Sequence, residues 1–249
     1  MVGDLNITKD RLMVDSRKIE ILVLGDSHAG VFTHESIVAA FPEYSFKVIS
    51  VGGATISGLE NPNSKTQAMP IFMGALSDSR AGIVIVLIGE VDTGFVIWYQ
   101  AEKYSTHVDV MCDAAVRKYQ KFLHLIGREK TIICISTPLP TIKDGSDWGD
   151  VANARKEVKA SQLDRTKLTV MFNEKMNEFC NEVGIKYIML DSDCLGADGL
   201  VHPDFVNDDP TDHHYDQGRY AQLILSCLTP IMERVGVSGG GKRAFDDER

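Results

Sequence analysis

Five short apolar runs, each rich in β-branched residues, recur along the chain and are separated by longer segments with helical periodicity. The runs cover residues 19–24, 46–51, 83–88, 131–136 and 186–190. Strands that alternate with helices and read as continuous apolar stretches are typical of a parallel sheet that is buried on both faces. The pattern therefore predicts an α/β protein with three layers, α/β/α, around a five-stranded parallel sheet.

Apolar residues at three- and four-residue spacing predict helices over 113–126, 164–183 and 219–235. Pro230 is expected to kink or interrupt the last of these helices. Two connections, 58–79 and 138–161, are long and are predicted to be irregular, and the second contains many polar residues. Because long loops in compact domains are usually functional or mobile, we expect the second connection to border the substrate cleft.

The composition fits one domain with one sizeable core, since the chain has 249 residues of which 44% are hydrophobic. We expect this domain to span 1–236, and the tail 237–249, which lacks apolar periodicity, to be disordered. The formal net charge of −9 argues against nucleic acid as a partner, because nucleic-acid binders need clustered lysine and arginine. A small or neutral substrate fits better.

The first residues include no apolar signal region, and no apolar run approaches the roughly 18 residues that span a bilayer. We therefore expect a cytoplasmic protein with no membrane partner; the sequence does not indicate an oligomeric state. The five cysteines are widely separated, and their spacing favours buried reduced thiols over disulfides or a zinc site. They are Cys112, Cys134, Cys180, Cys194 and Cys227.

The turn Gly25-Asp26-Ser27 follows the first apolar strand directly. A serine just beyond the carboxyl end of a central parallel strand lies where open α/β sheets bind their ligands. Ser27 is therefore the leading candidate for a nucleophile. It could also be an N-cap residue of a following helix, and the two roles are compatible, since such a helix directs its N–H groups towards a developing oxyanion.

The order of strand, Gly-Asp-Ser turn, later glycine block and late histidine resembles the GDSL, or SGNH, hydrolase family. The resemblance implies a flavodoxin-like sheet, a serine nucleophile and ester substrates such as acyl or acetyl esters of carbohydrates, lipids or small metabolites. It requires no cofactor. The sequence itself has neither a dinucleotide-binding turn nor a phosphate loop, and no regular metal-ligand spacing, so no metal site is predicted.

The general base that the resemblance implies is His213 or His214. The spacing to Gly218 favours His213, but Pro210 then stands where family members carry an aspartate, and His214 has Thr211 at that place. Asp209 or Asp212 could orient either ring only if the turn carries an insertion.

The oxyanion hole that the resemblance implies combines the N–H of Ser27, a glycine N–H and an asparagine amide. Gly53, in the block after the second strand, is the candidate glycine, although a tight turn would also require glycine there. The third block reads Gly-Glu-Val-Asp, so Val91 replaces the asparagine. Losing one such donor typically costs about 10²- to 10³-fold in turnover, so either another donor substitutes or catalysis is slow.

Four further residues near these blocks are candidates for contact with substrate: Glu90, Asp92, Asp26 and His28. Glu90 cannot stabilise an oxyanion while it is ionised, but it could bind a substrate hydroxyl or orient a histidine. His28 follows the nucleophile, and its side chain is expected to support the site from behind.

The sequence thus favours a serine ester hydrolase that forms an acyl-enzyme on Ser27. A catalytically impaired protein of the same fold that binds a glycan or metabolite is the main alternative, supported by Val91 and by the offset histidine block. An O-acyltransferase that uses the same residues is a third reading.

Overall fold

The computed structural model describes residues 18–145 and 158–239, without side chains for 235–239. Its centre is a sheet of five parallel strands in the order β2-β1-β3-β4-β5. The strands are β1 Ile19–Gly25, β2 Tyr44–Ser50, β3 Ile83–Leu87, β4 Thr131–Ile135 and β5 Lys186–Ile188. This is the flavodoxin-like order, and the predicted fold class is confirmed.

Helices connect the strands and cover both faces of the sheet. They are α1 Glu35–Ala40, α2 Ile56–Leu59, α3 Ala68–Asp78, α4 Ile97–Lys103, α5 Val108–Ile126, α6 Gln162–Val183, α7 Asp191–Cys194 and α8 Gln217–Gly239. Short 3₁₀ helices at Ser27–Thr33 and Pro203–Phe205 and a π-helical turn at Asp92–Val96 complete the described elements.

The sheet separates two apolar cores because successive strand residues point to opposite faces. In β1, Leu22 and Leu24 belong to the core beneath α2 to α6, whereas Ile21 and Val23 belong to the core beneath α1 and α8. All four are fully buried. Burial on both faces is the physical reason that the strands read as unbroken apolar runs.

The prediction that 58–79 is irregular is wrong over the second half of this segment, where α3 forms. Ala68 and Phe72 lie one turn apart on α3 and are both buried against the sheet. Their burial stabilises the helix, although the polar residues before it in the sequence do not indicate one. Pro70 is the third residue of α3, where a missing N–H costs little because the first turn has no acceptors for it.

Pro230 does not interrupt α8, which runs through it to Gly239. The helix therefore also extends past the predicted domain end at 236, and residues 240–249 of the predicted tail lie outside the described residues. The same is true of 146–157, in the middle of the connection that we expect to border the substrate cleft.

All five cysteines have free thiols, and four of them are buried, as the spacing predicts. Across residues 18–145 and 158–239, none of the helices combines the length and the apolarity that a bilayer-crossing segment needs.

Candidate active site

The Gly-Asp-Ser turn lies at the carboxyl end of β1, next to the end of β3. This is the point where the strand order reverses and where sheets of this kind bind ligands. A Cβ at Gly25 would lie 2.0 Å from the Leu87 carbonyl oxygen, so only glycine permits the close approach of the two strand ends. Ser27, partly buried, is the first residue of the 3₁₀ helix.

Asp26 fastens this turn to its neighbours through a fully buried side chain. One carboxylate oxygen accepts the N–H of His28 at 2.9 Å, and the other accepts the N–H of Gly89, just after β3, at 3.1 Å. The carbonyl of Asp26 accepts the hydroxyl of Ser50, the last residue of β2, at 2.9 Å. Asp26 therefore holds three strand ends together, and contact with substrate, as predicted for it, would add to this role.

The beginning and the end of the chain meet at three histidine rings. His28 is 2% exposed, and its Nδ1 lies 3.2 Å from the Asp26 carboxylate. The His28 ring centre lies 4.7 Å from that of His214 and 5.9 Å from that of His213. The two late histidines lie 4.2 Å from each other. The residue after Ser27 is thus packed directly against both candidate bases.

Asp212 and His214 form a carboxylate–imidazole pair, with 2.6 Å between Oδ1 and Nδ1. Asp212 also accepts the N–H of His214 at 2.9 Å and the side-chain amide of Asn207 at 3.0 Å. Burial raises the pKa of Asp212, but the hydrogen bonds from the backbone and ring of His214 outweigh it, so that its pKa is lowered overall. Nε2 of His214 is buried and has no hydrogen-bond partner among the described residues.

Asp209 is not brought to the histidine rings. Its carboxylate accepts both the N–H and the hydroxyl of Thr211, which lowers its pKa, and the residue is exposed. Of the two aspartates that the sequence offers as orienting groups, Asp212 is therefore the one in contact with a candidate base.

The Ser27 hydroxyl forms no hydrogen bond to a described residue. Catalytic hydrogen bonds are often long or unformed before substrate binds, so the lack of this bond is compatible with a nucleophile.

The glycine block after β2 is held by a second buried carboxylate. Gly53 has φ +70° in an exposed turn, which requires glycine or a strained residue. The Asp92 side chain accepts the N–H groups of Ile56 at 2.6 Å and Ser57 at 3.0 Å, at the start of α2. Burial raises the pKa of Asp92 to about 6, although these hydrogen bonds oppose the shift. Asp92 thus positions the turn that carries Gly53.

Two residues directly precede Asp92: Glu90, 3% exposed, and Val91, partly buried and in helical conformation. Gly89 has φ +132°, and a Cβ there would lie 2.6 Å from the Thr137 hydroxyl. The π-helical turn starts at Asp92; such turns are frequent at functional sites.

Sequence reasoning missed the contacts that hold the histidine turn. The Thr141 hydroxyl donates to the His213 carbonyl at 2.5 Å, and the Tyr215 hydroxyl accepts the N–H of Leu139 at 2.7 Å. These bonds tie the turn to the loop after β4. A lone threonine and tyrosine carry no sequence signature; only the adjacency of Tyr215 to the histidine pair gave a signal.

A buried polar cluster lies beneath that loop. The side-chain amide of Asn173, on α6, accepts the N–H of Thr137 and donates to the carbonyl of the same residue. It also donates to the Asp191 carboxylate at 2.8 Å. Burial raises the pKa of Asp191 to about 7 despite this hydrogen bond. Neither Asn173 nor Asp191 is among the residues predicted for the site.

Solved structures with a similar architecture include proteins described as GDSL-like lipases and SGNH hydrolases. A GDSL-like lipase from Bacteroides thetaiotaomicron is 11% identical, with a TM-score of 0.57, covering 92% of this chain and 98% of its own. A member of the lipolytic protein G-D-S-L family from Veillonella parvula is 16% identical, with a TM-score of 0.52, covering 87% and 99%. The chain therefore has the SGNH-hydrolase fold. No protein-family model and no curated protein matches the sequence.

Proposed function

We propose that the protein is a serine ester hydrolase of the GDSL/SGNH type that acts on a small-molecule ester. The observation that carries this proposal is the packing of His28, the neighbour of Ser27, against the ring of His214 at 4.7 Å. His214 is in turn paired with Asp212 at 2.6 Å. A hydroxyl, an imidazole and an orienting carboxylate are the three groups that acyl transfer requires.

In this mechanism Ser27 Oγ attacks the ester carbonyl and transfers its proton to Nε2 of His214. Asp212 accepts from Nδ1, fixes the tautomer and stabilises the imidazolium that forms. The proton then passes to the departing alcohol, and water hydrolyses the acyl-enzyme by the same route. The N–H groups of Ser27 and Gly53 stabilise the oxyanion. His213 is the second candidate for the base.

The experiment that tests the proposal compares the wild type with Ser27→Ala on a short-chain aryl acetate. We expect turnover to fall by at least about 10⁴-fold, because a single missing triad member removes the covalent route. The thermal midpoint should stay nearly unchanged, since the hydroxyl makes no bond to the described residues. Ser226→Ala, which alters an exposed serine on α8, is the matched control and should retain full turnover.

Labelling by a fluorophosphonate gives a second readout, because the reagent requires an activated serine. Wild type and Ser226→Ala should label, and Ser27→Ala should not. Folded wild-type protein that neither labels nor hydrolyses the ester would overturn the proposal and favour the noncatalytic binding protein.

The same assay assigns the base. We expect His214→Gln to lower turnover more than His213→Gln, because Nδ1 of His214 lies 2.6 Å from the Asp212 carboxylate, which can orient its ring. A larger loss in His213→Gln would assign proton transfer to His213 instead.

A further inference from the structure

Three potential metal ligands of two kinds converge on the histidine turn. Asp212, His213 and His214 each offer one ligand atom, and these atoms lie within 4.8 Å of one another. Ligands of a tetrahedral zinc ion lie about 3.4 Å apart, given bonds of about 2.0 to 2.1 Å, so modest side-chain rotation brings all three onto one ion. The sequence does not indicate this site, because the three residues are consecutive and match no regular ligand spacing.

We propose that Asp212, His213 and His214 bind a single divalent transition-metal ion, of which Zn²⁺ is the best match, and that the bound ion reversibly inhibits the enzyme. Two imidazoles and a carboxylate suit a borderline cation such as Zn²⁺ and leave its fourth position open to water. Four oxygen ligands or more, the preference of Mg²⁺ and Ca²⁺, are not offered here.

Hydrogen bonds hold the backbone of this turn and the Asp212 carboxylate before any ion binds. The Asp212 carboxylate is fixed by the His214 N–H and the Asn207 amide, and the His213 carbonyl is fixed by the Thr141 hydroxyl. Such supporting contacts are what orient the ligands of natural metal sites. The Asp212 and His214 side chains are 38% and 23% exposed, so an ion from solvent can reach them.

The inhibition, though not the binding, rests on the proposed function. A lone pair of His214 that binds Zn²⁺ cannot accept the Ser27 proton, and Asp212 drawn to the ion no longer orients the ring. Metal binding and base catalysis therefore exclude each other.

The test is calorimetric titration of Zn²⁺ into the full chain, free of any histidine tag, in a noncoordinating buffer. We expect one equivalent to bind both wild type and Ser27→Ala, since Ser27 is not a ligand. His213→Ala and His214→Ala should each weaken binding by at least roughly 10- to 100-fold. His202→Ala, at an exposed histidine beside Asp204, is the matched control and should bind as the wild type does.

Co²⁺ gives a spectroscopic readout that distinguishes this site from the thiols. The visible spectrum should show a nitrogen- and oxygen-coordinated ion without a thiolate charge-transfer band, and Cys227→Ser should not alter it. Absence of one-equivalent binding, wild-type affinity in either histidine variant, or loss of binding in Cys227→Ser would each overturn the site.

The two proposals fail separately. A wild type that binds Zn²⁺ at this turn but never hydrolyses an ester refutes the proposed function and leaves the metal site standing. A wild type that hydrolyses esters and does not bind Zn²⁺ refutes the site alone. A wild type whose esterase activity falls in parallel with Zn²⁺ occupancy and returns on chelation supports both.

Discussion

The two halves of the candidate site are anchored differently. On the nucleophile side, the fully buried carboxylates of Asp26 and Asp92 accept backbone N–H groups from neighbouring strand ends and turns. On the histidine side, the turn is partly exposed and is tied to the loop after β4 by one hydrogen bond from Thr141 and one to Tyr215. The comparison indicates a Ser27 turn that is anchored by buried carboxylates and a histidine turn whose position depends in part on the loop after β4.

Gly25→Ala, on the Ser27 side, should have the largest effect on the free energy of unfolding. The new Cβ would lie 2.0 Å from the Leu87 carbonyl, so we expect a loss of about 4 kcal/mol or more in the free energy of unfolding. On the histidine side, Gly218→Ala meets only Asp216 Oδ1 at 3.5 Å and lies in the first turn of α8, where it should stabilise by up to about 1 kcal/mol. Urea denaturation and soluble yield measure both; equal stabilities would contradict the comparison.

Asp191→Asn should alter the pH dependence of the cluster beneath the histidine side. The folded pKa is about 7 against an ordinary 3.8, so between these values the folded state binds more protons than the unfolded state. The stability of the wild type therefore falls as pH rises through this window, by about 3 kcal/mol between about pH 5 and pH 8. The variant cannot ionise and should lose this part of the decline.

Urea denaturation at the two pH values measures this change. Asp193→Asn, at an exposed aspartate on the same short helix, is the control and should keep the wild-type slope. An unchanged slope in Asp191→Asn would show that the carboxyl is not the titrating group.

Val91→Asn should increase the rate of the proposed reaction. In that mechanism the Ser27 side of the site lacks a side-chain donor for the oxyanion. Restoring the amide should raise kcat by up to roughly 100-fold, the lower end of the usual loss for one donor. Val91→Leu, which adds bulk without a donor, should not raise it. A kcat that does not increase in the asparagine variant would mean that another group already fills this role.

Thr141→Val should give the smallest effect, on the loop that holds the base. It removes one hydrogen bond at nearly constant volume, so we expect a loss of about 1 kcal/mol in stability together with a fall in kcat. Thr33→Val removes an exposed threonine's bond to the Gly30 carbonyl on the nucleophile side and should leave both nearly unchanged. Thermal midpoints and steady-state rates of the two variants decide whether the histidine side depends on its loop.

The strands could be predicted because burial on both faces leaves a continuous apolar run. Helix beginnings were harder: α5 starts at Val108, five residues before its predicted start, and its first turn is capped by the side chain of His107, which is not one of the usual N-cap residue types. The helix α3 was missed because its sequence neighbours are polar and its stabilising contacts are tertiary.

The candidate site likewise combines local features that the sequence predicts with contacts that it does not predict. Ser27 and the glycine turns are local features that a motif reports. The pairing of Asp212 with His214 depends on the conformation of a single turn, and the bond from Thr141 to His213 joins positions 72 residues apart. No spacing in the sequence encodes such a contact, so the sequence could not predict the orientation of the candidate base.

The hydrogen bonds of Asp26 connect the ends of three strands and should also limit local unfolding at these ends. The amides of His28 and Gly89 share one acceptor group, so neither can be released to solvent without disturbing the other. Their deuterium uptake should follow a single cooperative event rather than independent fraying. The nucleophile turn therefore behaves as part of the sheet's own folding unit, and its geometry persists for as long as the sheet does.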